Sequence, residues 1–354
     1  MPIVSEQYTK LVGVDTHART HALAVVQSAT GAVVAQASFP TTPAGLARAA
    51  AWAGRRVGRE QALYVVEGAG SYGAALTRLL AGHGLPVVEP SAMPKGQHRG
   101  KGKSDPLDAA RIARSVAGVD LAELREPRED GGIRTALQIL ATARDSMTAE
   151  RTRCVNALTA LLRLFDLGID ARKPLTGNQI QTVSRWRTRN EDSLATATGR
   201  AEAVRLAARV LALRVQEKDN EEQLRLLAAA SAPGLMDAPG IGPVTAAAVL
   251  VAWSHPGRIR SEAALASLAG VNPIPASSGN TTRHRLNRGG DRRLNRAVHT
   301  ITLTRMRCDA DTRAYVDKRT AQGKTKKEIT RILKRYITRQ LYRQLEPRHA
   351  EHTT

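Results

Sequence analysis

Two stretches of the chain, Thr135 to Phe165 and Ala195 to Ala230, keep a helical pattern that no proline interrupts. Helices of that length gain their stability by burying an apolar stripe against a partner. Leu158, Leu161, Leu162 and Phe165 recur at helical spacing in the first; Leu206, Val210, Leu213 and Val215 begin a comparable stripe in the second. Joined by a polar, irregular segment, 168–192, they predict a hairpin or coiled coil, serving as an intramolecular pair or as a dimerisation arm. A charged stretch containing Gly and Pro, 118–133, precedes the pair, and Ala232-Pro233-Gly234 follows it. Three regions are therefore expected: 1–125, 126–230 and 231–354, a number compatible with 354 residues.

The first region alternates strand and helix signals. Leu11 to Val14 is a short apolar run ending in Asp15, and Ala22–Gln27 and Ala32–Phe39 flank a Thr30-Gly31 turn as a hairpin. Thr42-Pro43 reads as N-cap and first helical position of a helix to about Val57. Leu63–Val66 is a buried strand ending in Glu67; a helix over 72–83 and a strand over 85–88 complete a mixed α/β pattern. The fold class expected is α/β plus all-α.

Lys and Arg number 53 against 32 acids, a formal charge of +21 in a chain that is 42% hydrophobic. That apolar content excludes wholesale disorder, and the surplus points to a polyanionic partner, nucleic acid before membrane. Aromatic residues are only 3%, so base stacking is not the main grip and phosphate contacts are. The two cysteines, Cys154 and Cys308, are far apart, which excludes a disulfide framework and a cysteine-rich zinc module. His17 and His21 straddle a turn into a strand, which argues against zinc there. No signal-peptide core and no long uncharged apolar run occurs, so a soluble cytoplasmic protein is expected, with no membrane partner.

Four acids are candidates for chemistry. Asp15 and Glu67 end strands, where side chains of an α/β sheet project into the ligand crevice. In Lys103-Ser104-Asp105-Pro106-Leu107-Asp108 the two aspartates share one face of a helix start. If these segments adjoin, four carboxylates converge and require hard divalent cations, Mg²⁺ or Mn²⁺, able to serve phosphodiester chemistry. The Asp105–Asp108 pair also fits a capping box that stabilises a helix without catalysis. Glu89, followed by Pro90 and a basic loop, reads as a surface residue.

Val12-Gly13-Val14-Asp15-Thr16-His17, Val65-Val66-Glu67-Gly68 and Lys103-Ser104-Asp105-Pro106-Leu107-Asp108-Ala109 resemble the DEDD tetrad of the IS110 family of insertion-sequence transposases, relatives of the Piv/MooV DNA invertases. Further on, Leu268-Ala269-Gly270-Val271-Asn272-Pro273, Ser277-Ser278-Gly279 and Asn287-Arg288-Gly289-Gly290-Asp291-Arg292-Arg293-Leu294 resemble the second domain of that family. The resemblance covers essentially the whole chain. It implies a RuvC-like, ribonuclease H-type N-terminal domain and a mainly helical C-terminal transposase domain. It implies that Asp15, Glu67, Asp105 and Asp108 bind the metal and that Ser278 is the nucleophile, with Ser277 as the alternative. It further implies donor and target DNA, a bridge RNA that selects them by base pairing, and a homodimer or homotetramer in which acids of one subunit meet the serine of another. The setting it implies is the bacterial cytoplasm, at the nucleoid.

A serine hydroxyl needs a base or a metal to become a nucleophile, and His284 is the candidate base in sequence. Arg283, Arg285, Arg288, Arg292 and Arg293, downstream of Ser278, can clamp phosphate oxygens. Pro239-Gly240-Ile241-Gly242-Pro243 reads either as a helix-hairpin-helix turn whose Gly240 and Gly242 let backbone N–H groups approach a phosphate, or as a tight turn between packed helices. From Lys318 to Arg343 ten basic residues, among them Lys326, Lys327, Arg331, Lys334 and Arg335, accompany an apolar stripe of Ile329, Ile332, Leu333, Ile337 and Leu341. That pattern predicts a helix packed on one side and facing phosphate on the other. Lys101 and Lys103 form a smaller basic loop beside the acids.

The function expected is a DNA recombinase working through a phosphoserine link. The alternatives are a metal-dependent, structure-specific endonuclease acting on Holliday-junction-like DNA, and a non-enzymatic nucleic-acid-binding protein. An actin-like ATPase is disfavoured because no glycine-rich phosphate loop follows Asp15. Affinity resting on phosphate contacts predicts a steep salt dependence: between 50 and 200 mM salt, DNA binding should weaken by about 10³-fold or more if six or more phosphates are neutralised, as fluorescence anisotropy would measure.

Overall fold

The computed structural model describes residues 2–90, 105–128, 132–165, 167–276 and 284–346, without the side chain of Asp105. These divide into two compact units, 1–131 with 254–260, and 132–253 with 261–354. Among the described residues no helix is long and apolar enough to cross a membrane.

The first unit runs α1 (Val4–Gln7), β1 (Lys10–Thr16), β2 (Thr20–Gln27), β3 (Val33–Pro40), α2 (Pro43–Val57), β4 (Ala62–Val66), α3 (Ala74–Gly82), β5 (Val87–Val88) and α4 (Asp105–Arg114). Its sheet has the order β3-β2-β1-β4-β5, with β1, β2 and β3 antiparallel and β4 and β5 parallel to β1. Strands β1 and β4 are buried along their lengths because both faces of the sheet are covered. Val12, Val14, Tyr64 and Val66 face a cluster with Leu46, Trp52 and Leu76 of α2 and α3. Leu11, Leu63 and Val65 face Ala109, Ile112, Ala113 and Val116. Helix α2 starts as its sequence requires: Thr42 Oγ1 accepts the N–H of Gly45, and Pro43 occupies a position whose own N–H is not needed.

Helix α4 lies on β1 at backbone distance. A Cβ on Gly13 would collide with the carbonyl of Ala109 and stand 2.6 Å from Ala113 N. Gln36, opposite Ala24 and through it Gly13, donates to the Pro106 carbonyl at 2.8 Å; Arg114 reaches the Gly31 carbonyl at the other end of the sheet, also at 2.8 Å. The helix therefore runs antiparallel to β1, with its first turn towards Asp15. Segment 254–260 completes this unit: Arg258 donates to the Glu126 carbonyl and stands 3.5 Å from Glu89 Oε2, so Glu89 serves an internal ion pair.

In the second unit α5 (Gly132–Leu164) and α7 (Leu194–Ser231) form an antiparallel pair, with α6 (Gly177–Ser184) between them in sequence. At one end Leu158, Leu162, Ile180, Val183, Leu206 and Val210 share a core. Val215 is 61% exposed and does not belong to the stripe; the buried line continues through Leu213, Glu217, Asn220 and Leu224. Glu217 accepts from Thr148 Oγ1 at 2.9 Å and pairs with Arg151 at 3.0 Å, while Asn220 donates to the Leu140 carbonyl at 3.0 Å. Segment 168–192, expected to be irregular, contains α6, held by a capping box of Thr176 and Gln179.

The rest of this unit is α8 (Pro243–Trp253), α9 (Glu262–Leu268), β6 (Pro273–Pro275), β7 (His284–Leu286), α10 (Arg292–Cys308), α11 (Ala310–Ala321) and α12 (Lys326–Leu345). Helix α8 is buried along almost its whole length, and its Trp253 donates to Glu346 Oε1 at 2.8 Å. The basic stretch from Lys318 is two helices, not one. Gly323 at φ +78° ends α11, and Thr325 with Glu328 forms a capping box that starts α12. A side chain at Gly13 has no space short of moving α4 off the sheet: Gly13→Val should lower stability by about 3 kcal/mol, read from the urea midpoint, or prevent folding of the first unit.

Candidate functional site

Two acids of the first unit, Asp15 and Glu67, stand at one end of its sheet. Val14 pairs with Val66, and the Glu67 N–H donates to the Val14 carbonyl at 3.0 Å, so Asp15 and Glu67 leave adjoining parallel strands at the same level. Asp15 follows Leu11 and Gly13 on the face that α4 covers. The alternation that puts Leu63 and Val65 there gives Glu67 the same side. The turn after Glu67 is tight: Gly68 sits at φ +63°, where a Cβ would stand 3.0 Å from Thr16 Oγ1, and that hydroxyl donates to the Glu67 carbonyl at 2.8 Å. This is why a glycine follows the glutamate.

Asp15 is 7% exposed, and His17 Nδ1 stands 3.8 Å from its Oδ1. Glu67 is exposed and Asp108 half-buried. Asp108 accepts from Arg111 Nη1 at 3.0 Å within α4, and Asp105 opens that helix. Among the described residues no three His, Cys, Asp or Glu side chains are close enough to hold a metal together. The donors that share this end of the sheet are carboxylate oxygens, the kind that suits a hard divalent cation of the Mg²⁺ type. Asp15 and Glu67 thus leave the sheet at the same end, Asp108 is paired with Arg111 within α4, and the side chain of Asp105 lies outside the described residues.

In the second unit a clasp holds the base of the β6–β7 hairpin. Pro273 pairs with Leu286, Ile274 with Arg285 and Pro275 with His284. Below it, Asn287 Nδ2 donates to Asn272 Oδ1 at 2.7 Å while its Oδ1 accepts the Gly289 N–H at 2.8 Å. Asn295 donates to the Ala269 carbonyl at 2.6 Å, and the Asp291 N–H to the Leu268 carbonyl at 2.7 Å. Gly290, at φ +89°, touches this strand of chain so closely that a Cβ would collide with the Leu268 carbonyl. The Leu268–Pro273 and Asn287–Leu294 motifs are therefore one structural clasp, and the chain between Pro275 and His284 carries the serines. Ser277, Ser278 and Arg283 lie outside the described residues, as do Lys101 and Lys103.

The other basic residues divide by partner. His284, Arg285, Arg288, Arg292, Lys326, Lys327 and Arg331 are exposed. Arg293 pairs with Asp145 of α5 at 2.7 Å, and Arg335 donates to the Glu262 carbonyl at 3.0 Å. Lys334 donates to Asn295 Oδ1 at 2.9 Å, and burial lowers its pKa. Gly240 packs its Cα side against Ile301 and Arg305 of α10, and the Gly242 N–H donates to Thr245 Oγ1 at 3.0 Å. Of the clasp asparagines, Asn272 and Asn287 fall within the Leu268–Pro273 and Asn287–Leu294 motifs, whereas Asn295, the partner of Lys334, lies just beyond them and had no signal of its own in sequence.

Comparison with known sequences shows the class to which this chain belongs, the insertion-element transposases. Residues 12–165 match a transposase profile of the DEDD, IS110 type, and residues 232–317 match the profile "Transposase IS116/IS110/IS902 family". The chain is 30% identical over 276 residues to the insertion element IS900 uncharacterized 42 kDa protein of Mycobacterium paratuberculosis, covering 65% of this chain and 68% of that one. It is 28% identical over 313 residues to the insertion element IS116 uncharacterized 44.8 kDa protein of Streptomyces clavuligerus, covering 75% and 77%. With the insertion element IS110 uncharacterized 43.6 kDa protein of Streptomyces coelicolor it shares 36% over 123 residues, 34% of this chain and 30% of that one. The chain belongs to the IS110/IS116/IS902 family of transposases. That membership implies a DNA substrate and suggests dependence on a divalent metal.

The clasp makes a prediction independent of catalysis. Asn287→Ala leaves Asn272 and the Gly289 N–H without their partner and should cost about 1–3 kcal/mol. Limited proteolysis should then cut 271–290 faster than in the wild type.

Proposed function

We propose that the chain cleaves and rejoins DNA through a covalent phosphoserine link at Ser278, with Asp15, Glu67, Asp105 and Asp108 holding Mg²⁺ or Mn²⁺. The observation that carries this reading is the register of β1 and β4, which sets Asp15 and Glu67 at adjoining strand ends on the α4 face. Three antiparallel strands followed by two parallel ones, with helices on both faces, support a RuvC-like, ribonuclease H-type assignment for this unit. The bound metal would supply charge stabilisation at the reacting phosphate.

In the proposed step Ser278 Oγ forms a bond to phosphorus, and the bond from phosphorus to one deoxyribose oxygen breaks. The serine proton passes to a base, for which His284 is the candidate, and the leaving oxygen takes up a proton to end as a hydroxyl. Rejoining reverses this with a hydroxyl from another strand, so no external energy source is required. Exposed Arg285, Arg288 and Arg292, with Arg283, would hold phosphate oxygens. Along α7, the buried positions 203, 206, 210, 213, 217, 220 and 224 alternate by three and four, which supports a coiled-coil reading of the central helices and a role in forming a homodimer or homotetramer. A bridge RNA selecting donor and target DNA belongs to the same proposal, as does action at the bacterial nucleoid; the charge surplus accommodates both nucleic acids.

The experiment is to trap a protein–DNA adduct that survives denaturation, using the full chain, its element-end DNA and Mg²⁺. Wild type and Ser277→Ala should form it. Ser278→Ala should lose it by about 10³-fold or more, as removal of a nucleophile does, and Asp15→Asn and chelation by EDTA should abolish it too. An adduct that persists in Ser278→Ala overturns the assignment.

A further inference from the structure

Within the second unit a cavity of about 470 Å³ opens between α12 and the β6–β7 hairpin. One face of α12 lines it with Arg331, Ile332, Arg335, Tyr336 and Arg339, and the hairpin side contributes Val271, Pro273, Arg285 and Leu286. Its described lining contains five side-chain cations, Arg285, Arg331, Lys334, Arg335 and Arg339, and no carboxylate. Glu262, nearby, pairs with Arg339 at 2.9 Å. Asn272, Asn287 and His284 also line it, the rest of the wall is mostly apolar, and two of its members are unusually open: Leu286 is 55% exposed and Tyr336 41%. In a chain with 3% aromatic residues, Tyr336 is also held in place, its ring 6.0 Å from that of Tyr315 at 88° and under the guanidinium of Arg339 at 5.9 Å.

Cations beside apolar and ring surfaces in a space of this size suit a ligand that is an anion at one end and a flat ring at the other. We propose that the cavity binds one unpaired nucleotide, its phosphate held by Arg331, Lys334 and Arg285 and its base set against Tyr336 and Leu286. Lys334 is the anchored member: its Nζ is fixed on Asn295 Oδ1, and Asn295 is fixed on the Ala269 carbonyl, so the clasp that holds the hairpin also aims the lysine. Burial lowers the pKa of Lys334, and burial together with repulsion from Arg339 lowers that of Arg335, a strain that an anion in the cavity would relieve. A duplex keeps its bases stacked inside, so the site discriminates for an unstacked nucleotide. The proposal deepens the recombinase reading and rests on it for the source of the strand, but its chemistry does not use the serine.

The test uses full-length Ser278→Ala protein, so that no covalent catalysis contributes. A short DNA strand carrying one 5-iodouracil, the same strand fully paired, and an RNA strand carrying 5-iodouridine are irradiated with it, and crosslinks are mapped by mass spectrometry. The single strands should crosslink at Tyr336 or within 284–287, with the duplex at least about tenfold weaker; whichever of DNA or RNA gives the higher yield identifies the strand. Lys334→Gln and Tyr336→Ala should each cut that yield by about tenfold, in line with the loss of one charge contact or one stacking surface. Crosslinks that map elsewhere on wild-type residues, or equal yields from duplex and single strand, overturn the proposal. Failure of the adduct experiment with crosslinks still in the cavity would remove the phosphoserine reading alone.

Discussion

The contact between Gly13 and helix α4 is the constraint on which the first unit depends. Because residue 13 has no side chain, Ala109 and Ala113 reach the backbone of the central strand, and the helix settles at a distance no other residue permits. That approach determines where the first turn of α4 lies relative to the carboxyl ends of β1 and β4. It puts Asp108 and the start of α4 at the end of the sheet where Asp15 and Glu67 emerge. The glycine two residues before the aspartate is thus as much a part of the acid end as the carboxylates, although it carries no chemistry.

A comparable economy holds in the second unit. Gly290 brings two distant segments into contact, and Asn287, Asn295 and Asp291 fasten them through side-chain and backbone hydrogen bonds. Such bonds between neutral groups contribute on the order of 1 kcal/mol each, but several together hold a small hairpin that has little apolar area of its own. The long helices use a different device. Their seam is apolar near α6 and polar at Glu217, Asn220, Thr148 and Arg151, where buried groups must be matched or the helices slip.

Much of the first unit was legible in the sequence. Short apolar runs, the Thr30-Gly31 turn and the Thr42-Pro43 cap mark β1 to β4 and α2 within a few residues, because these signals are local. The ends of α5 and α7 were legible for the same reason. What was not legible depended on partners distant in sequence. The short strands β6 and β7 have no alternation to detect. The seam of α7 passes through the polar Glu217 and Asn220, whose partners are Thr148 and Arg151 for the first and the Leu140 carbonyl for the second, whereas Val215, assigned to the stripe, does not join it.

The candidate site divides the same way. The sequence by itself marked the candidates for chemistry: acids ending apolar runs, an aspartate pair at a helix start, two serines before a glycine, and a basic terminal third. Only the tertiary structure decided their company. It set Asp15 and Glu67 side by side through strand register, committed Arg293 to Asp145, and gathered Arg331, Lys334 and Tyr336 around one cavity. Charge and hydrogen-bonding capacity are properties of a residue, whereas the partner that uses them is set by packing between segments far apart in the chain.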